Sequence, residues 1–145
     1  LKPLTPEKQS LVDAFLAAPH IARLATADAA GAPHVVPVWY GWDGSALWVS
    51  SFANTRKISQ IEHNPAISVA IDLVDADGTT RAVILEGSAE LIRQPRELVH
   101  QKSTWIYTRY LGPQGVLAAD PQSWIVDPLN LLIKLVPRHI STWGI

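Results

Sequence analysis

Residues 21–51 read IARLATADAAGAPHVVPVWYGWDGSALWVSS. Three apolar runs, IARLAT, HVVPVWYGW and SALWVSS, are rich in Val and aromatic residues and are separated only by DAAGA and DG. Runs of this composition read as strands, and breaks so short and so rich in Gly and Asp read as hairpin turns. Parallel strands would need a crossover of a dozen or more residues between them. The stretch therefore predicts a meander of three antiparallel strands.

The flanking sequence extends the pattern. Upstream, Thr5-Pro6-Glu7 starts a helix, with Thr5 as N-cap and Pro6 in the first helical position, where its missing N–H costs nothing. Leu11, Val12, Phe15 and Leu16 follow at helical spacing, and Pro19 ends the run. Downstream, TRKISQIEHN is a short helix stopped by Asn64-Pro65. AISVAIDLV and TRAVILEGSAEL are strands about a DADG turn, and QPRELVHQKSTWIYTRYL is a helix opened by Pro95 and closed by Gly112-Pro113. SWIVD, NLLIKLVP and HISTWG read as closing strands. The sum is a mainly β, α+β chain: an antiparallel split barrel of six to seven strands with three short flanking helices, in a single domain over residues 1–145.

Composition bounds the function. The 145 residues are 48% apolar and 17% charged, with formal net charge −1. A general nucleic-acid binder is usually more basic, so no nucleic acid is expected, and any anion recognition must be local. The absence of cysteine removes thiolate nucleophiles and cysteine metal sites, and fits a reducing cytoplasm. LKPLTPEKQS lacks the apolar core of a signal peptide, and no apolar run is long enough to span a bilayer, so a cytoplasmic protein with no membrane partner is expected. His20, His34, His63, His100 and His139 have no ligand spacing, and no metal is expected. Asp75 and Asp77 flank a turn, where Asp serves turn chemistry rather than catalysis. No side chain stands out as a general acid or base. Six Trp is a high count for a small monomer to bury, which favours a homodimer.

One stretch conflicts with its own local physics. SSFANTRKISQ, residues 50–60, places Arg56 and Lys57 at a helix start, where the partial positive charge of the helix makes cations unfavourable by ~0.3–1 kcal/mol each. Solvation at the surface is one reading; an anion held between them is the other.

The order of ARLATADAAGAPHVVPVWYGWDG, a strand ending in Ser-Ser, and TRK entering a helix that ends in Asn-Pro resembles the pyridoxamine 5′-phosphate oxidase-like split barrels. The match is best from about Ile21 to Asp72, and EGSAEL and VPRHISTW are also similar. The resemblance implies FMN, or alternatively the deazaflavin coenzyme F-420, at the interface of a homodimer, and hydride transfer through flavin N5 to or from a small-molecule substrate. It implies that Arg56 and Lys57 countercharge the cofactor phosphate, and that Ser50, Ser51 and Thr55 supply hydroxyls to the phosphate and ribityl chain. Val36, Pro37, Val38, Trp39 and Tyr40 would run along the ring, bonding its polar edge through their backbone. Trp39 and Tyr40 point to opposite faces, so at most one can pack on that ring. The oxidase itself carries a spaced Arg-x-His pair near its C-terminus. Here Arg138 and His139 are adjacent, so pyridoxamine phosphate is not the expected substrate. A flavin-binding protein without catalysis remains a third reading of the same scaffold.

Overall fold

The Thr5 hydroxyl accepts a hydrogen bond from the Lys8 N–H at 3.2 Å and so caps α1 (Pro6–Ala17). Val12 and Leu16 form the buried stripe of this helix, while Leu11 is half-exposed. The computed structural model describes residues 3–145. Leu1 and Lys2, which begin the N-terminal stretch and the domain span read above, lie outside the described residues.

The remaining elements are β1 (Ala22–Ala27), β2 (Pro33–Val38), β3 (Gly41–Trp42), β4 (Leu47–Phe52), α2 (Arg56–His63), β5 (Ala66–Val74) and β6 (Thr80–Ile92). α3 (Arg96–Gly115), α4 (Ala119–Val126), β7 (Asn130–Leu135) and β8 (His139–Trp143) complete the chain. Every strand pairing is antiparallel, in the order β2-β1-β5-β6-β7-β4-β3, with β8 on β6. The expected α+β antiparallel architecture is what the chain adopts, with eight strands and four helices among the described residues.

Three local expectations are corrected. HVVPVWYGW is not one strand: pairing stops at Val38 and resumes at Gly41. The meander is two hairpins, β1–β2 and β3–β4, because β4 pairs with the distant β7 instead of β2. SWIVD is the end of α4 with its C-cap Asp127, and the helix's buried Pro121 and Ile125 lie four apart on one face.

The break after Val38 closes the barrel. β2 and β3 occupy opposite ends of the strand order, yet only Trp39 and Tyr40 separate them in the chain. The sheet must therefore curl until its two ends nearly meet. β6 makes the turn on the far side: residues 80–88 pair with β5, and residues 89–92 pair with β7. At the crossing, a Cβ on Gly87 would stand 3.0 Å from Leu135 and 3.2 Å from the Val136 carbonyl, so only glycine fits without displacement.

The barrel interior is filled by buried aliphatics including Leu24, Val69, Val83, Leu85, Ile133 and Leu135. A second core, with Trp48, Val99, Ile106, Ile125 and Leu132, lies beneath α3 and α4. β4 and β7 serve both cores, which is why LWV and LLI are apolar without alternation. This arrangement buries Trp42 and Trp48 within one chain and leaves Trp143 about half-exposed.

Candidate functional site

The Trp39–Tyr40 link is pinned from both sides. The Tyr40 N–H donates to the Tyr110 hydroxyl at 3.1 Å, and the Tyr40 carbonyl accepts from Arg109 Nε at 2.9 Å. The Tyr40 hydroxyl lies 2.9 Å from the Leu16 carbonyl and 3.0 Å from that of Ala18. Burial raises the phenol's pKa well above the usual tyrosine value, against the lowering influence of Arg109. Tyr40 thus remains neutral and ties the link to the end of α1. With Tyr40 fixed in the core, Trp39 faces the other way. Its ring stacks on Tyr110 at 4.9 Å and meets the edge of Tyr107 at 5.9 Å.

Trp39 forms one wall of a cavity of about 520 Å³ between the end of β2, β4 and the start of α2. That volume falls within the ~300–1,000 Å³ typical of small-molecule sites. Pro37 and Val38 continue the Trp39 wall; Ser50, Ser51 and Phe52 come from β4, and Thr55 and Lys57 from the entry to α2. Ile21 and Tyr107 complete the lining.

Seven of the ten residues named from the sequence therefore converge: Pro37, Val38, Trp39, Ser50, Ser51, Thr55 and Lys57. Three do not. Val36 packs on the barrel core. Tyr40 is buried with its backbone groups already bonded, so it offers none to a ligand. Arg56 is exposed and outside the lining, because the first turn of α2 turns only one of two adjacent residues toward the cavity. Ile21, Phe52 and Tyr107 were not anticipated. Phe52 follows the anticipated Ser51, Ile21 is brought beside Val38 by the pairing of Ala22 with that residue, and Tyr107 comes from α3, with no local pattern that links it to Ser50.

Tyr107 reaches the site through an ordered hydrogen-bond network. Asn130 Nδ2 is 3.1 Å from the Ile125 carbonyl, which can only accept, and 3.0 Å from Ser103 Oγ. Asn130 Oδ1 therefore receives the Ser50 proton at 2.7 Å. Having donated its single proton there, Ser50 must accept from both Ser103 at 2.9 Å and Tyr107 at 3.1 Å. The Ser50 hydroxyl is saturated and has no proton for a ligand. Burial raises the Tyr107 pKa, and its bond to Ser50 pulls the other way, so the phenol stays protonated.

At the opposite end the polar groups are unsatisfied. Thr55 is the N-cap of α2, yet its hydroxyl donates to the Phe52 carbonyl at 2.9 Å and makes no bond to the helix. The first-turn N–H groups of α2 are left without a capping side chain. Lys57 is the one charged side chain of the lining. It is half-buried and makes no ion pair among the described residues. Burial pushes its pKa below the ordinary lysine value. A desolvated ammonium and uncapped helix N–H groups have the chemistry to hold an anion. The cavity thus has a wall of apolar and aromatic surface, one saturated polar corner and one cationic end. A planar ring bearing a phosphate matches that donor set.

A model of the pyridoxamine 5′-phosphate oxidase family matches residues 9–144. The chain belongs to that family. Among solved structures, the family member is similar to a conserved hypothetical protein of Mycobacterium tuberculosis, Rv2991, at 24% identity and TM-score 0.77, with 97% of this chain and 85% of that one covered. An F420 reductase aligns at 26% identity and TM-score 0.68, covering 89% of this chain and 94% of its own. HutZ, the heme storage protein of Vibrio cholerae, aligns at 17% identity and TM-score 0.70, with 92% of each chain covered. The first and third of these show a shared fold alone. No curated protein matches the sequence. No described helix is long and apolar enough to cross a membrane.

Proposed function

We propose that this family member binds FMN in the Trp39–Lys57 cavity and acts as a flavin-dependent oxidoreductase on a small molecule in a reducing, cytoplasmic setting. The observation that carries the reading is Lys57, the single, half-buried cation of the cavity, without an ion pair among the described residues and at an uncapped helix start. Its ammonium and the first N–H groups of α2 would hold the phosphate; Thr55 and Ser51 lie beside them, with their hydroxyls 3.4 Å apart. Pro37, Val38 and Trp39 would flank the ring. When bound, the flavin supplies hydride transfer at N5, and the protein contributes alignment and exclusion of water. The likeness to an F420 reductase favours one alternative, the deazaflavin coenzyme in the same cavity. Titrating the apoprotein with FMN and with F-420, followed by absorbance, tests both. Saturable binding of FMN supports the first, tighter binding of F-420 supports the second, and binding of neither overturns the assignment.

Two expectations follow from this reading. No histidine lines the cavity: His63 is tied to the Ser59 carbonyl at 2.8 Å, and His139 lies 3.1 Å from Ser141. Changing His34, His63 or His139 to Ala should lower the cofactor-saturated rate by less than about tenfold, whereas a general acid or base contributes ~10²–10⁴-fold. A larger loss at unchanged flavin content would identify a catalytic histidine.

The second concerns assembly as a homodimer, with the cofactor at the interface. Ile21 and Pro37 at the cavity mouth are exposed, as are Val35 on the outer face of β2 and Trp143 on β8. A two-fold partner would cover such surface. Light scattering of the cofactor-loaded protein at micromolar concentration should give twice the 15.9 kDa chain mass. A monomer mass would exclude the shared site.

A further inference from the structure

A second cleft, of about 550 Å³, lies on the other side of the turn that leads into α2. Phe52 and Thr55 line the first cavity, and Ala53, between them, lines the second. One wall carries Arg93, Arg96 and His100; the other is apolar, from Val126, Leu129 and Leu131. No carboxylate stands among the lining residues. The asymmetry is pronounced for a chain whose acidic residues slightly outnumber its basic ones.

The three basic residues differ in what already holds them. Arg96 is a fixed strut: it donates to the carbonyls of Asn130 at 2.8 Å, Asp127 at 2.9 Å and Arg93 at 3.2 Å. All three partners are neutral, so its charge is placed by the fold without being neutralised. It retains further N–H donors, since a guanidinium has five. Arg93 meets Glu62 at 3.4 Å, with both side chains about half-exposed. An exposed pair of that kind is worth ~0–1 kcal/mol and exchanges readily for a better anion. His100 stands one helical turn beyond Arg96 on the same face of α3 and has no side-chain partner among the bonds of the described residues. Across the cleft, Val126 is 58% and Leu129 45% exposed. Apolar side chains left open opposite a basic wall whose carboxylate partner is the exposed Glu62 alone, among the described residues, describe a complement that is anionic at one end and apolar along its body.

We propose that this cleft binds an amphipathic organic anion, a carboxylate or phosphate monoester on an apolar group, separately from the Lys57 cavity. Arg96 and Arg93 grip the anionic head, His100 adds a donor, and the body lies against Val126 and Leu129. The site is independent of the FMN assignment, since it shares no lining residue with the first cavity.

The test is calorimetric titration of the full chain with phenyl phosphate, benzoate and inorganic phosphate. The probe bound tightest among the first two identifies the head group, and weaker binding of inorganic phosphate shows that the apolar wall contributes. The Lys57→Ala variant should retain this binding, because that cation lies in the other cavity. Arg93→Gln and His100→Gln should each weaken it about tenfold, the lower range for loss of a charge-assisted hydrogen bond. Both side chains are at least partly exposed, so folding should survive, as circular dichroism can verify. Leu129→Asp, at a second exposed position, should weaken the aryl probes by apposing like charge to the head group while leaving the basic wall intact. Absence of saturable binding, or loss on Lys57→Ala with Arg93→Gln and His100→Gln unchanged, overturns the proposal.

Discussion

Replacing Lys57 by Ala should weaken FMN binding about ten- to a hundred-fold, because a charge-assisted hydrogen bond is worth ~1.5–3 kcal/mol. The fold should tolerate the change: the ammonium makes no ion pair among the described residues, and its own burial works against its charge. Riboflavin, which lacks the phosphate, is the control and should bind the variant and the parent alike. Equal losses for both ligands would move the phosphate away from Lys57. The sign of the pH dependence follows from the same group. Lys57 must be protonated to attract an anion, and burial lowers its pKa in the free protein. Affinity should therefore decline as alkaline pH passes through that lowered value, earlier than for an ordinary lysine. Arg56→Ala should have a much smaller effect, since that side chain is exposed and outside the cavity.

Replacing Asn130 by Ala should cost about 3 kcal/mol of stability, since buried groups stripped of their partners cost ~1–3 kcal/mol each. Asn130 is 1% exposed and joins Ser50, Ser103 and the Ile125 carbonyl. Its loss leaves the Ile125 carbonyl without that donor and Ser50 without its acceptor, and leaves a void where the amide stood. For a slope of ~2 kcal/mol per molar urea, the unfolding midpoint should fall by roughly 1.5 M. A shift below about 0.3 M would mean that the Asn130 amide is not what holds Ser50, Ser103 and the Ile125 carbonyl together.

Much of the framework was legible because its signals are local. The Thr5-Pro6 start of α1, the long β6 strand, the NLLIKL run of β7 and the convergence of Ser51, Thr55 and Lys57 on one turn depend on neighbours within a few residues. What escaped depends on distant contacts. HVVPVWYGW reads as one strand because its composition is uniform; only the curl of the sheet, set by β4 pairing with β7, breaks it at Trp39. SWIVD carries β-favouring side chains, and packing of Ile125 in the second core, with Pro121 buried on the same helical face, outweighs that preference. The preceding Asp120-Pro121, read as a helix start, was the available signal. Tyr107 and the saturation of Ser50 lie beyond any local reading, since the partners of Ser50 are 53, 57 and 80 residues away. Arg56 and Lys57 looked equivalent as letters; the rotation of about 100° between neighbouring helix residues separates them.

The two-residue link at Trp39 and Tyr40 also bears on the order in which the molecule assembles. The hairpins on either side of it close over short loops and are entropically cheap. The link itself is fixed by Arg109 and Tyr110, some seventy residues later, and the hairpin that follows is fixed through its second strand, β4, by β7, later still. Chain segments that far apart meet slowly, because loop closure comes before the contacts that repay it. Until they meet, Trp39 and Lys57 belong to separately moving pieces and no cavity exists between them. A ligand of this cavity therefore cannot template the early collapse of the chain. It can act only as a latch, holding shut a barrel that has already closed.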